Sequence, residues 1–168
     1  MMGVRDARQA ARTDLMAVVF SAAQSIGKGF RRAEDDWRPM LFFRTSPDGP
    51  VTIAAVPLIA ENKALTAVMI EHLLKSVNAI EAVWLTSAWM VTRPLGILNA
   101  DTIRPSLQPD RREILMLAHA GPDFVVARSA DINRRPGKPP TIDQLGETWA
   151  DGLELDGLFV EALRRGLG

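Results

Sequence analysis

The sequence predicts an α+β domain in which a mostly antiparallel sheet of about five strands is covered by helices. Two long segments carry apolar residues at three-and-four spacing, which is typical of helices lying on a core. Apolar runs rich in β-branched and aromatic residues alternate with these segments, and the turn sequences SPDG and AGPD each join two such runs. The 168 residues are enough for one domain with a real core and too few for two ordinary ones.

The first half of the chain predicts a helix, a hairpin and a second helix. The first helix runs from about Val4 to Ile26 and ends at a glycine-rich turn. The segments RPMLFFRT and PVTIAAVP follow as two strands, because Pro, Asp and Gly in the intervening SPDG favour a tight turn. From Glu61 to about Asn78 an apolar stripe indicates the second helix.

The second half predicts three more strands and a helical tail. Residues Ala82 to Thr92 form a strand that is apolar on both faces, which indicates a central position in the sheet. REILMLAHAG and DFVVARSAD form a hairpin around AGPD. Thr141 and Gln144 have the spacing of a capping box, so we expect helix in the tail. Two connections, 93–110 and 131–140, are longer than a compact domain needs.

These elements give the order α-β-β-α-β-β-β-α, with the two long helices expected on one face of the sheet. Residues 1–140 are expected to form the core, and the tail, 141–168, to pack on that core or on a partner subunit. The order resembles the topology of profilin, roadblock and GAF-like domains, although no sequence motif of those families is present. Topology of this kind implies nothing about function.

Composition excludes several classes of protein. Lys plus Arg equals Asp plus Glu at 20 each, so the whole chain has no field that would draw it to nucleic acid or to anionic lipid. The absence of Cys excludes thiolate metal sites and thiol nucleophiles, and we expect no cofactor and no metal. No apolar run approaches the roughly 20 residues of a membrane span, and Asp6 and Asp14 interrupt the basic start. We therefore expect a cytoplasmic protein.

One stretch carries the elements of a PD-(D/E)xK nuclease signature, namely Asp48, Glu61 and Lys63. The two carboxylates of such a site must converge on one divalent ion. Here the predicted strand between them separates Asp48 from Glu61 by about 25 Å. We therefore interpret Asp48 as a turn residue and Glu61 as an acid in the first turn of a helix. A small metal-dependent hydrolase or nuclease remains the alternative, with His72 as a further candidate base.

Two other groups of residues are candidates for binding. The strands that are apolar on both faces of the sheet supply a candidate interaction surface, made of Trp84, Trp89, Leu115 and Leu117. A basic cluster is either an anion-binding patch or part of a solvated linker, and it consists of Arg128, Arg134, Arg135 and Lys138. With no catalytic set identified, we favour a non-catalytic binding or assembly domain over an enzyme. Its expected partner is a second copy or another protein, and we do not expect nucleic acid.

Overall fold

The fold is given by a computed structural model that describes residues 4–47, 49–57, 62–90, 109–147 and 158–168, with the backbone alone for residues 4–14. This part of the chain forms three helices and six strands. In chain order they are α1 (Val4–Lys28), β1 (Met40–Arg44), β2 (Thr52–Ala55), α2 (Lys63–Ser76), β3 (Glu81–Met90), β4 (Arg112–Gly121), β5 (Phe124–Asn133), β6 (Thr141–Ile142) and α3 (Leu158–Gly166). The predicted α+β class and element order are confirmed.

The strands form one sheet in the order β2-β1-β3-β4-β5-β6, and every neighbouring pair is antiparallel. Both predicted hairpins, β1–β2 and β4–β5, are present. The strand β3 lies inside the sheet between β1 and β4, as its two-faced apolar sequence predicted. The sheet therefore contains the five expected strands and one that was not expected.

The additional strand, β6, occupies the position where the capping box predicted a helix start, so that prediction was wrong. Instead of turning into a helix, the chain continues along the edge of β5. The backbone N–H of Asp143 donates to the carbonyl of Asp131 at 3.0 Å, and that of Gly146 to the carbonyl of Ser129 at 2.8 Å. These bonds to β5 satisfy backbone donors that a helix start would have left to its cap.

Helices cover both faces of the sheet, which corrects the expectation that the two long helices share one face. One core lies under α1 and contains Leu15, Val19, Ala23, Phe42, Val83, Leu85, Leu115 and Leu117. The other core lies under α2 and α3 and contains Ile70, Leu74, Leu163, Leu41, Phe43, Trp84 and Ala118. Successive residues of β3 point to opposite faces and both sets are buried, so each face needs a helical cover.

The helix α2 is specified at both ends and along one side. Its N-cap is Asn62, whose side-chain oxygen accepts a hydrogen bond from the backbone N–H of Leu65 at 3.2 Å. Beyond its last turn, Asn78 adopts a left-handed conformation with φ of 53°, which ends the helix. Its inner side is buried at Thr66, Ala67, Ile70 and Leu74.

The helix α3 packs on the chain's own core. Phe159 stacks on Trp84 with ring centroids 5.3 Å apart. Gly166 approaches Leu74 so closely that a Cβ atom at Gly166 would lie 2.9 Å from the Leu74 Cβ. The C-terminal end of α3 is thereby packed closely against α2. Among the described helices, none is long and apolar enough to cross a membrane.

The connection between α1 and β1 is fastened back to α1 by Trp37. Its indole N–H donates to the carbonyl of Ala23 at 2.8 Å, and the ring is buried. A Cβ atom at Gly27 would lie 2.8 Å from a carbon of the indole ring, so only glycine permits this approach. The contact fixes the C-terminal end of α1 against the sheet.

Candidate functional site

The structure describes only one of the three residues of the nuclease signature. Asp48 and Glu61 lie outside the described residues, and Lys63 is the first residue of α2. Between them, Thr52 to Ala55 form β2, the extended segment that the sequence predicted. Among the described residues, no group of three or more His, Cys, Asp or Glu could hold a metal ion.

The two histidines occupy contrasting environments. His72 lies on α2 and is exposed. His119, in β4, is fully buried, and its Nε2 lies 3.1 Å from a carboxylate oxygen of Glu81. His72 contributes to no described constellation of catalytic groups, whereas His119 belongs to a buried polar network.

This network, formed by Arg44, Glu81 and His119, is the feature that sequence reasoning missed. It joins three neighbouring strands on the α1 face of the sheet, and Arg44 lies 3.1 Å from the second carboxylate oxygen of Glu81. Burial raises the pKa of Glu81, but the hydrogen bonds and charges of His119 and Arg44 outweigh it and hold that pKa below its ordinary value. The His119 Nδ1 and the Arg44 Nε have no hydrogen-bond partner in the described structure.

The predicted interaction surface is largely internal. Trp84, Leu115 and Leu117 are fully buried in the two cores, so they are not available to a partner in this structure. Trp89, near the end of β3, is 43% exposed, and the guanidinium of Arg111 lies 4.7 Å from its ring centroid. One residue of the four therefore remains on the surface.

The predicted basic cluster divides into two pairs. Arg128 donates to the backbone carbonyl of Gly146 at 2.7 Å, which secures the segment after β6. Arg134 makes two hydrogen bonds to Glu113, at 2.6 and 2.8 Å, and lies 3.3 Å from Asp36. The hydrogen bonds to Glu113, with the charge of Asp36, raise the pKa of Arg134. Both arginines are therefore engaged in contacts within the fold.

The other pair, Arg135 and Lys138, is presented by a turn. The backbone N–H of Lys138 donates to the carbonyl of Arg135 at 3.1 Å, and Gly137 between them has φ of +72°. Pro at the second position and a positive φ at the third are the features of a type II turn, which brings its first and fourth residues within about 7 Å. Neither cation pairs with a carboxylate of the described chain.

This turn lines one of two adjoining depressions at the C-terminal end of α1. The first, the apolar pocket, has a volume of about 210 Å³ and is lined by Gln24, Gly27, Lys28, Trp37, Pro140, Thr141 and Ile142. The second, the basic groove, has a volume of about 300 Å³ and is lined by Gly27, Asn133, Arg135, Lys138, Pro139, Pro140 and Thr141. They share three lining residues, and neither is lined by a carboxylate of the described chain.

A third depression, of about 580 Å³, lies between the start of β1, the end of β2 and the middle of β3. It contains Asp36, Arg38, Thr86 and Ser87. Burial raises the pKa of Asp36, although its hydrogen bond from the backbone N–H of Trp37 and the charge of Arg134 oppose that effect. No imidazole or lysine of the described chain lines this depression, so it offers an acid and hydroxyls but no general base apart from Asp36 itself.

The outer side of α2 carries an exposed apolar stripe. Leu65, Val68 and Met69 are all exposed, and their three-and-four spacing places them on one side of the helix. We call these three residues the α2 stripe. It lies opposite the buried side of α2, which includes Ile70 and Leu74.

The sequence matches no protein-family model, no curated protein and no solved structure.

Proposed function

We propose that this chain is a non-catalytic assembly domain that associates with a second copy of itself through the α2 stripe. The observation that carries the proposal is the exposure of three large apolar side chains on one side of one helix. Contiguous apolar surface of this kind on a folded domain marks interaction sites, whereas isolated exposed apolar residues are ordinary. No described depression combines a nucleophile, a base and its positioning partner, which favours binding over catalysis.

The fold does not require the α2 stripe to be apolar. The inner side of α2 supplies Ile70 and Leu74 to the core, and these are fully buried. Asn62 and Asn78 define the helix ends independently of the stripe. Polar residues at the three stripe positions would leave the core and the caps unchanged. Association explains why leucine, valine and methionine stand there.

A second copy fits this surface because an apolar stripe is complementary to itself. A two-fold axis beside α2 would place the stripe of one copy on that of the other, and two-fold dimers are the commonest homo-oligomers. The chain has no net charge, so two copies do not repel each other as strongly charged proteins do. On α2 itself, Lys75 pairs with Glu71 at 2.7 Å, which neutralises both charges near the stripe.

A cytoplasmic location remains a prediction from the sequence.

The test is light scattering coupled to size-exclusion chromatography, over a concentration series, for the wild type and two matched variants. Val68→Glu places a charge in the α2 stripe, and Val18→Glu places the same charge on α1, at a valine of similar exposure, 45% against 43%. We expect a wild-type dimer, a monomeric Val68→Glu and a dimeric Val18→Glu. A wild type that is monomeric throughout, or dissociation by Val18→Glu rather than by Val68→Glu, would contradict the proposal.

A further inference from the structure

We infer that the apolar pocket and the basic groove together bind a small organic phosphate, with its apolar body in the pocket and its phosphate in the groove. The site lies on the α1 face of the sheet, opposite the α2 stripe, so the inference stands independently of self-association. Three features of the described residues carry it: the surplus of positive charge, the fixed turn that carries two of the cations, and the adjoining apolar wall.

The charge of the site is positive and uncompensated. Arg135 and Lys138 line the basic groove, and Lys28 lines the adjoining apolar pocket. None of the three forms an ion pair with a carboxylate of the described chain, in contrast to Arg134 nearby. A phosphate ester supplies up to two negative charges and three acceptor oxygens, which suits an arginine with two lysines better than a single carboxylate does.

The backbone that carries the two groove cations is fixed by the turn. The turn from Arg135 to Lys138 is closed by its own hydrogen bond and contains Gly137 in the conformation that favours glycine. Pro139 and Pro140 follow immediately and restrict the chain that leaves the turn. A turn of this kind loses little backbone freedom when it binds an anion, so less of the interaction energy is lost to ordering.

The apolar pocket is suited to carbon rather than to a polar group. The indole N–H of Trp37 is already donated to Ala23 and the ring is almost fully buried, so Trp37 contributes only apolar ring atoms to the lining of the pocket. Pro140 and Ile142 add further apolar atoms to the lining. The two depressions together match the lower part of the range of small-molecule sites, about 300 to 1,000 Å³. A phosphate attached to a small aromatic or branched group fills both.

The test uses three probes that separate the two halves of the site: phenyl phosphate, phenol and inorganic phosphate. Each is titrated into ¹⁵N-labelled protein, with the indole N–H of Trp37 and the backbone N–H of Lys138 as reporters. We expect phenyl phosphate to shift both signals and to bind at least about tenfold more tightly than either half alone. No binding of phenyl phosphate at millimolar concentration, or inorganic phosphate or phenol binding as tightly, would overturn the inference.

A variant that lacks the two groove cations supplies a second test of the phosphate site. Arg135→Gln/Lys138→Gln removes two exposed cations that have no structural partner, so folding should be unaffected, and a urea denaturation curve checks this. We expect about a tenfold or greater loss of phenyl phosphate affinity, because hydrogen bonds to charged groups are the stronger ones. The matched control, Lys63→Gln/Arg165→Gln, removes two exposed cations on the opposite face and should bind like the wild type. Equal losses of phenyl phosphate affinity in the two variants would show that the effect comes from net charge alone, and this would overturn the assignment.

Discussion

Replacement of Glu81 by Gln tests the buried network between the strands. The side chains of Arg44 and Glu81 are only 14% and 10% exposed, and Glu81 lies 3.1 Å from both Arg44 and His119. Removing one partner of a buried ion pair costs about 3–5 kcal/mol, because the other charge stays in the interior uncompensated. The glutamine oxygen can still accept one hydrogen bond, and Arg44 keeps some contact with water. We therefore expect Glu81→Gln to lose about 2–3 kcal/mol of unfolding free energy at neutral pH.

The pH dependence of this loss has a definite sign. The folded state holds the pKa of Glu81 below its ordinary value of 4.5. A depressed carboxylate pKa contributes stability that is fully present above that ordinary value and is lost as the pH falls through the lower, folded value. The difference in unfolding free energy between wild type and Glu81→Gln should consequently narrow as the pH falls below the ordinary value.

The assay is urea denaturation followed by tryptophan fluorescence, at neutral pH and at several pH values below the ordinary pKa. Glu71→Gln is the matched control, because the hydrogen bond from Lys75 also lowers the pKa of Glu71, but on the surface of α2. We expect that control to unfold almost like the wild type, since exposed pairs contribute little. The reasoning would be refuted if Glu81→Gln matched the control at neutral pH, or if its deficit persisted undiminished in acid.

Two further substitutions test the packing and the start of α2 by the same denaturation assay. Gly166→Ala should destabilise the chain by about 1–3 kcal/mol, because its Cβ would lie 2.9 Å from the Leu74 Cβ and 3.3 Å from the Glu71 backbone; a wild-type curve would mean that α3 shifts freely. Asn62→Ala should cost about 0.5–2 kcal/mol through loss of the cap on Leu65, whereas Asn62→Asp should retain most of the stability; equal losses in both would show that the cap is not the cause.

Hydrophobic periodicity predicted most of the elements but not their arrangement in space. The apolar stripes of α1 and α2 show which side of each helix is buried, and they carry no information about which sheet face it meets. Residues Ala82 to Leu85 are all apolar, so β3 offered either helix an equivalent surface. Because β2 and β3 both pair antiparallel with β1, they run parallel, and α2 is the crossover between them. That crossover occupies one face, and α1 covers the other.

The candidate sites were predicted less completely, for a different reason. Arg44, Glu81 and His119 are separated in sequence by 37 and 38 residues, and only the strand register brings them together. The basic groove, by contrast, had a local signal. Pro136 and Gly137 occupy the two central positions of a type II turn, which predicts that Arg135 and Lys138 approach each other. The same prolines and exposed cations are also typical of a solvated linker, so the sequence alone does not decide between the two.

The close packing of α3 bears on how the chain can be handled in the laboratory. Gly166 and Leu167 are buried against the core. An affinity tag fused directly after Gly168 would therefore begin one residue from the buried Leu167, close to the contact between α3 and α2. We expect a flexible linker of about ten residues to be needed there for the fusion to retain native stability.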